Sequence, residues 1–197
     1  VAGEEGTPGR LALLAAVGVP RVQVVRRPRV ALLGTGDEVI PPGQPLGPGQ
    51  IYSSNNVALA AQVRQAGGVP IDHGTVADDA AAQVRRLQAV LADEPDLVLT
   101  TGGVSVGLFD HMKDVMAELG VAMDFWKVRM KPGKPLAFGT VGRVPLFGLP
   151  GNPVSCMVNF LQFVRPWMRT ALGAPRPFLP VVDAIARDDL SSRPGRA

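Results

Sequence analysis

The chain reads as an α/β protein: a three-layer α/β/α domain with a mostly parallel sheet and an antiparallel edge hairpin. Three observations predict it. Short apolar runs alternate with helical patterns, the arrangement that covers a parallel sheet on both faces. Two glycine-rich turns each follow an apolar run and open a helix, Gly102-Gly103 through Gly107 and Gly148 through Ser155. One apolar hairpin, Leu136–Val141 and Val144–Phe147 around Gly142-Arg143, breaks the alternation and adds the antiparallel edge.

The elements follow in order. Residues 11–17 read as the tail of a helix. Arg29 to Leu33 is a buried strand that ends in Gly34-Thr35-Gly36-Asp37-Glu38, and residues 41–49 are a Pro/Gly-rich loop. Helical spacing covers residues 55–66, with Val57, Ala60, Ala61 and Val63 inward, and residues 79–92, with Val84, Leu87 and Leu91 inward. Asp78 and Asp79 are a cap pair for the second of these. Between them, residues 69–76 are a strand, and residues 96–100 the next. A helix over 113–119 and a strand over 121–128 lead to the hairpin. The longest helical pattern runs from Asn152 to Leu172, with Val154, Met157, Val158, Leu161, Met168 and Leu172 at helical spacing.

With 197 residues and 46% hydrophobic content, the chain can bury a substantial core. Its formal charge of +3, from 20 Lys+Arg against 17 Asp+Glu, is not concentrated in runs. Arg26-Arg27 with Arg29 is the densest basic patch, so no nucleic-acid partner is expected. Cys156 is the single cysteine, which excludes an internal disulfide and points to a reducing, cytoplasmic setting. No run approaches the roughly 18 apolar residues of a membrane span. Residues 1–27 are expected to be the tail of a preceding domain or a linker, 28–174 the main domain, and 175–197 the start of a truncated β-domain.

The chemistry concentrates at the carboxyl ends of the predicted strands, where open parallel sheets bind ligands. In the loop Thr101 to Gly107, Gly102, Gly103 and Gly107 let backbone N–H groups approach an anion, and Ser105 offers a hydroxyl. A Gly-Gly turn between strand and helix is often a tight connection and nothing more. Lys131-Pro132-Gly133-Lys134-Pro135 sets two cations three residues apart around a turn, able to converge on one anionic group. Pro150, Gly151, Asn152 and Ser155 form a second anion-binding helix start, with Asn152 as the cap and Pro153 at the first helical position. Two such sites and a lysine pair suit a ligand with more than one phosphate-like group.

Asp37 and Glu38 are adjacent on a segment read as extended, so only one side chain enters the site, and Asp37 is the one chosen. A carboxylate beside a phosphate needs a cation between them, so Asp37 and Asp110 together favour Mg²⁺. Ser105 and Ser155 have no neighbouring base and are binders rather than nucleophiles. His73 and His111 are incidental. Cys156 is core filler beside Phe160, and Trp126 and Trp167 are packing residues.

Thr35-Gly36-Asp37-Glu38, the stretch from Gly49 to Asn55, Gly102 to Gly107 with Asp110 and Lys113, Lys131 to Pro135, and Gly148 to Ser155 occur together in that order. In this combination the chain resembles the molybdopterin-binding domain of the molybdopterin molybdenumtransferase family, whose relatives include the C-terminal domain of gephyrin. The resemblance covers residues 28–173. It implies insertion of molybdate into adenylylated molybdopterin with release of AMP and a divalent cation such as Mg²⁺. It also implies catalytic roles for Asp37, Asp110, Lys131 and Lys134, and a homodimer in the full-length protein. In this family two domains precede this one and a small β-domain follows it. Two positions depart from the resemblance: Ser53 stands where many relatives carry Asp, and Leu108 where some bacterial ones carry Glu. The alternatives are the adenylyltransferase of the same fold, which lacks the Lys131–Pro135 and Gly148–Ser155 combination, and a non-catalytic molybdopterin-binding or scaffold module.

Overall fold

A computed structural model describes residues 3–103, 115–185 and 187–188. Its centre is a six-stranded sheet. The strands are β1 (Arg29–Thr35), β4 (Val69–Val76), β5 (Leu97–Thr101), β6 (Ala122–Lys127), β7 (Pro135–Val141) and β8 (Val144–Leu149), in the spatial order β4-β1-β5-β8-β7-β6. The first four of that order run parallel; β7 and β6 are antiparallel to their neighbours. The hairpin therefore divides in a way its sequence does not announce. β8 joins the parallel set beside β5, β7 turns back, and β6 is the outer edge. Phe125, Phe138 and Phe147 stack across these last three strands, with ring centroids 5.6 and 4.6 Å apart.

All five residues of β5 are buried, and so are six of the seven of β1, as expected of central strands covered on both faces. Alternate side chains sort into two cores. Val30, Leu32, Leu97 and Leu99 pack with Leu59 and Val63 of α2 (Asn55–Gln65) and with Cys156, Phe160, Val164 and Met168 of the last helical stretch. Ala31, Leu33, Val98 and Leu146 pack with Val84, Leu87 and Val90 of α3 (Ala80–Ala92) and with Val115 and Met116. Each fully buried leucine contributes on the order of 1.5–3 kcal/mol of transfer free energy. This is the predicted three-layer arrangement.

Several expectations about helix faces need correction. Val57 and Ala61 point to solvent, while Asn56, Leu59 and Val63 face inward. The pattern allowed either stripe. Asn56 is drawn in because its Nδ2 donates to Asp72 Oδ1 at 2.8 Å and to the Gly74 carbonyl at 3.1 Å. The long helix is also rotated relative to its sequence pattern, and it comes in three parts: α4 (Pro153–Asn159), a π-helical turn over Phe160–Val164, and α5 (Arg165–Ala171). Val154, Met157 and Leu161 are exposed, and the inward stripe is Cys156, Asn159, Phe160, Val164 and Met168. The π turn adds a residue to the period, so a regular 3.6-residue reading loses register across it.

The N-terminal helix α1 (Pro8–Ala16) has its own start, with Thr7 as the cap and Pro8 at the first position, and none of its residues is buried. It is not the tail of a helix whose beginning is missing. Glu5 pairs with Arg169, which brings this segment to the end of α5. Residues 179–185, within the stretch expected to begin a β-domain, contain no strand, and Val181, Val182 and Ile185 are exposed. Among the described residues no helix is long and apolar enough to cross a membrane.

Candidate functional site

The carboxyl ends of β1, β5 and β8 are knit together. Thr35 Oγ1 donates to the Thr101 carbonyl at 3.2 Å, and the Gly102 N–H donates to the Leu149 carbonyl at 3.2 Å. Gly102 adopts φ +90°, and a Cβ there would stand 2.7 Å from the Thr35 carbonyl oxygen, so only glycine lets the chain leave β5 at this point.

Above this junction lies a cleft of about 210 Å³. Its floor is Gly34 to Gly36, Thr101 to Gly103, Gly151 and Pro153. One wall is Ser53 to Asn55 at the start of α2, and a short flap carries Glu38, Val39, Ile51 and Tyr52. The flap is a two-strand parallel ribbon, β2 (Val39–Ile40) with β3 (Ile51–Tyr52), and the predicted loop 41–49 lies between them. Ile51 N–H donates to the Glu38 carbonyl and Ser53 N–H to the Ile40 carbonyl, both at 2.8 Å. Asn55 at the head of α2 donates through Nδ2 to the Gly151 carbonyl at 2.9 Å, fixing the second glycine turn against the wall.

Of the residues expected at the site, Gly102, Gly103 and Gly151 line the cleft together. Asn152 is the cap of α4, accepting from the Ser155 N–H through Oδ1 at 3.1 Å. Ser155 is half-buried in the first turn that follows, and Pro150 is buried behind the turn. Ser105, Gly107 and Asp110 lie outside the described residues, as do Leu108, His111 and Lys113.

The acidic pair is arranged otherwise than expected. Residues 37–38 form a turn, not an extended segment, and it is Glu38 that lines the cleft. Asp37 is exposed, and its Oδ1 accepts from the Asp78 N–H at 3.0 Å, tying the flap to the loop before α3. Asp78, read from sequence as half of a cap pair, lines the cleft instead, and Asp79 alone caps α3, accepting from the Ala82 N–H at 2.7 Å. Glu38 and Asp78 are thus the carboxylates of the cleft wall among the described residues, with Ser53 buried beside them. Gly36, at φ +136°, turns the chain directly after β1, and a glycine there is the local sign that residues 37–38 need not continue the strand.

The lysines do not line the cleft. Lys131 and Lys134 are exposed on a turn around buried Gly133. The register nonetheless brings that turn to the same edge of the sheet. Ala137 pairs with Gly148, so the chain entering β7 lies beside the chain leaving β8 toward Gly151. His73 lies 3.8 Å from the Asp93 carboxylate at the end of α3, away from the cleft lining. Cys156 is core filler, and burial pushes its thiol up to about 12.

No group of three or more His, Cys, Asp or Glu among the described residues could hold a metal ion by protein ligands alone. Glu38 and Asp78 bring two carboxylates to one cleft, the number of protein carboxylates that an octahedral divalent cation commonly takes while keeping several waters.

Comparison with known proteins accords with this geometry. The chain is 41% identical over 199 residues to molybdopterin molybdenumtransferase 2 of Mycobacterium tuberculosis, covering 98% of this chain and 49% of that protein. It is 43% identical over 186 residues to the molybdopterin molybdenumtransferase of Nostoc, covering 92% of this chain and 42% of that protein. A crystal structure of a molybdopterin biosynthesis MoeA protein from Pyrococcus horikosii superposes with a TM-score of 0.79 at 37% identity, covering 87% of this chain and 42% of the other. The chain therefore spans about half the length of the curated relatives it matches. Residues 31–170, which include the whole cleft and all of the sheet except Arg29 and Val30, match the family model described as "Probable molybdopterin binding domain", and the chain belongs to that family.

Proposed function

We propose that the cleft binds molybdopterin and that the chain serves the insertion of molybdate into adenylylated molybdopterin with release of AMP. The observation that carries this reading is the meeting of two glycine turns, Gly102-Gly103 and Gly151, in one cleft at the carboxyl ends of β5 and β8. Backbone N–H groups in such turns, with the positive end of α4 behind Asn152, favour phosphate. The flap residues Ile51 and Tyr52 offer an apolar edge for a planar ring.

In this reading Glu38 and Asp78 would hold Mg²⁺, a role expected from sequence for Asp37 and Asp110. Mg²⁺ would supply neutralisation of the phosphoanhydride's charge. Lys131 and Lys134, at the same edge of the sheet, hold the tetrahedral molybdate oxyanion by charge-assisted hydrogen bonds. Asp37 steadies the flap through Asp78 and makes no contact with substrate. The relatives' printed names support this reading, as does the match of residues 31–170. A domain over 28–174, a cytoplasmic setting and a homodimeric full-length protein belong to the same proposal.

AMP release from adenylylated molybdopterin, with molybdate and Mg²⁺, tests the activity in the full-length protein. Release that depends on Glu38 is expected. Release unaffected by Glu38→Gln and Asp78→Asn together would remove the reaction from this cleft.

A further inference from the structure

Asn159, the last residue of α4, is fully buried on the inward stripe that also carries Cys156 and Phe160, where an apolar side chain would pack without desolvation cost. Its amide is used. Nδ2 donates to the Pro135 carbonyl at 3.0 Å, and Oδ1 sits against Gly133, where any Cβ would collide with it. Gly133 has φ +106°, and a Cβ would also stand 2.6 Å from Met130 Cε. One residue earlier in the chain than Pro135, the Lys134 carbonyl accepts from the Val128 N–H at 3.1 Å. The turn that carries both lysines is therefore held from beneath by one side chain of the long helix, at the point where that helix passes into its π turn.

We propose that Asn159 is a positioning residue: it fixes the Lys131–Pro135 turn so that the two ammonium groups are directed at one tetrahedral oxyanion. The inference rests on the reading above that Lys131 and Lys134 hold the oxyanion. Asn159 itself touches no ligand. A flexible turn would have to order both lysines on binding, and a turn already held does not incur that cost.

Calorimetric titration of the chain with inorganic molybdate tests this, using the parent, Lys134→Ala, Asn159→Ala and Gly133→Ala. Thermal melts and amide exchange are recorded for each. Lys134→Ala is expected to lose affinity. Asn159→Ala is expected to weaken molybdate binding by about tenfold. It should also accelerate exchange at the Val128 N–H while leaving the strand Leu97–Thr101 protected. Should Asn159→Ala not fold, Gly133→Ala disturbs the same contact from the turn and is expected to show the same loss. If Lys134→Ala loses affinity but a folded Asn159→Ala or Gly133→Ala binds as the parent does, Asn159 is only a packing residue and the proposal is overturned. If the parent binds no molybdate, or Lys134→Ala binds as the parent does, the lysine reading itself fails and this inference falls with it.

Discussion

Asn55 donates its side-chain N–H to the carbonyl oxygen of Gly151 across 96 residues of sequence, at 2.9 Å. That bond joins the start of α2 to the glycine turn before α4, so it tethers one wall of the cleft to its floor. Asn55→Ala should therefore weaken molybdopterin binding by about 0.5–1.5 kcal/mol, the net value of one such hydrogen bond. Titration against the parent measures it, and an unchanged affinity would show that the turn keeps its place without the tether.

Glu38 and Asp37 separate a cleft-lining carboxylate from a flap-fastening one. Glu38→Gln should abolish any enhancement of molybdopterin binding by Mg²⁺. Asp37→Asn should leave that enhancement in place, since an amide oxygen can still accept from the Asp78 N–H. Parallel titrations with and without Mg²⁺ decide the matter, and the opposite pattern would return the metal to Asp37.

Asp96 accepts from Arg26 Nη1 at 2.6 Å and from the Arg29 N–H at 2.7 Å, at the amino end of the sheet. Partial burial works against its charged form. The Arg26 and Arg29 hydrogen bonds and the arginine charges outweigh that effect and hold the carboxyl below its ordinary value. A lowered folded-state pKa stabilises above the unfolded value of about 3.9 and is lost as pH falls through the folded one. Asp96→Asn should accordingly melt below the parent at pH 7, and the two melting temperatures should converge below about pH 4. A gap of constant size down to the acid transition would contradict this.

Cys156 is buried in the sheet–helix core and its thiol is pushed up to about 12. The thiolate is the reactive form, so alkylation by iodoacetamide at pH 8 should be negligible in the folded chain and rapid in denaturant. Mass spectrometry of the two samples checks it, and prompt labelling of the native chain would mean that the long helix opens readily.

The sheet, its flanking helices and the two glycine turns were legible because each depends on local spacing: apolar runs for β1 and β5, and Asn152-Pro153 for the start of α4. The faces of α2 and α4 were not. Asn56 and Asn159 are polar residues that point inward because their amides meet partners 16 and 24 residues away, which no helical period encodes. The choice between Asp37 and Glu38 failed for a similar reason. It hinged on whether Gly36 begins a turn or continues a strand, and tertiary packing of the flap decides that. The placement of Asp78 in the cleft wall depends on the crossing from β4 to α3, and a cap pattern alone cannot distinguish a wall residue from a cap.

The central claim is that the two glycine turns form one phosphate-binding floor, and Gly151 offers the most direct test of it. Gly151 lines the cleft and is exposed, and a Cβ there would meet nothing closer than the Gly102 Cα at 3.7 Å, so a Cβ can be added without a clash. Calorimetric titration of the parent and of Gly151→Val with molybdopterin is the measurement. The account predicts binding by the parent, an unchanged melting temperature for Gly151→Val, and affinity reduced by at least about tenfold, because the isopropyl group occupies the space between the turns. Equal affinity in the two proteins, or no binding by the parent with Mg²⁺ present, would contradict it.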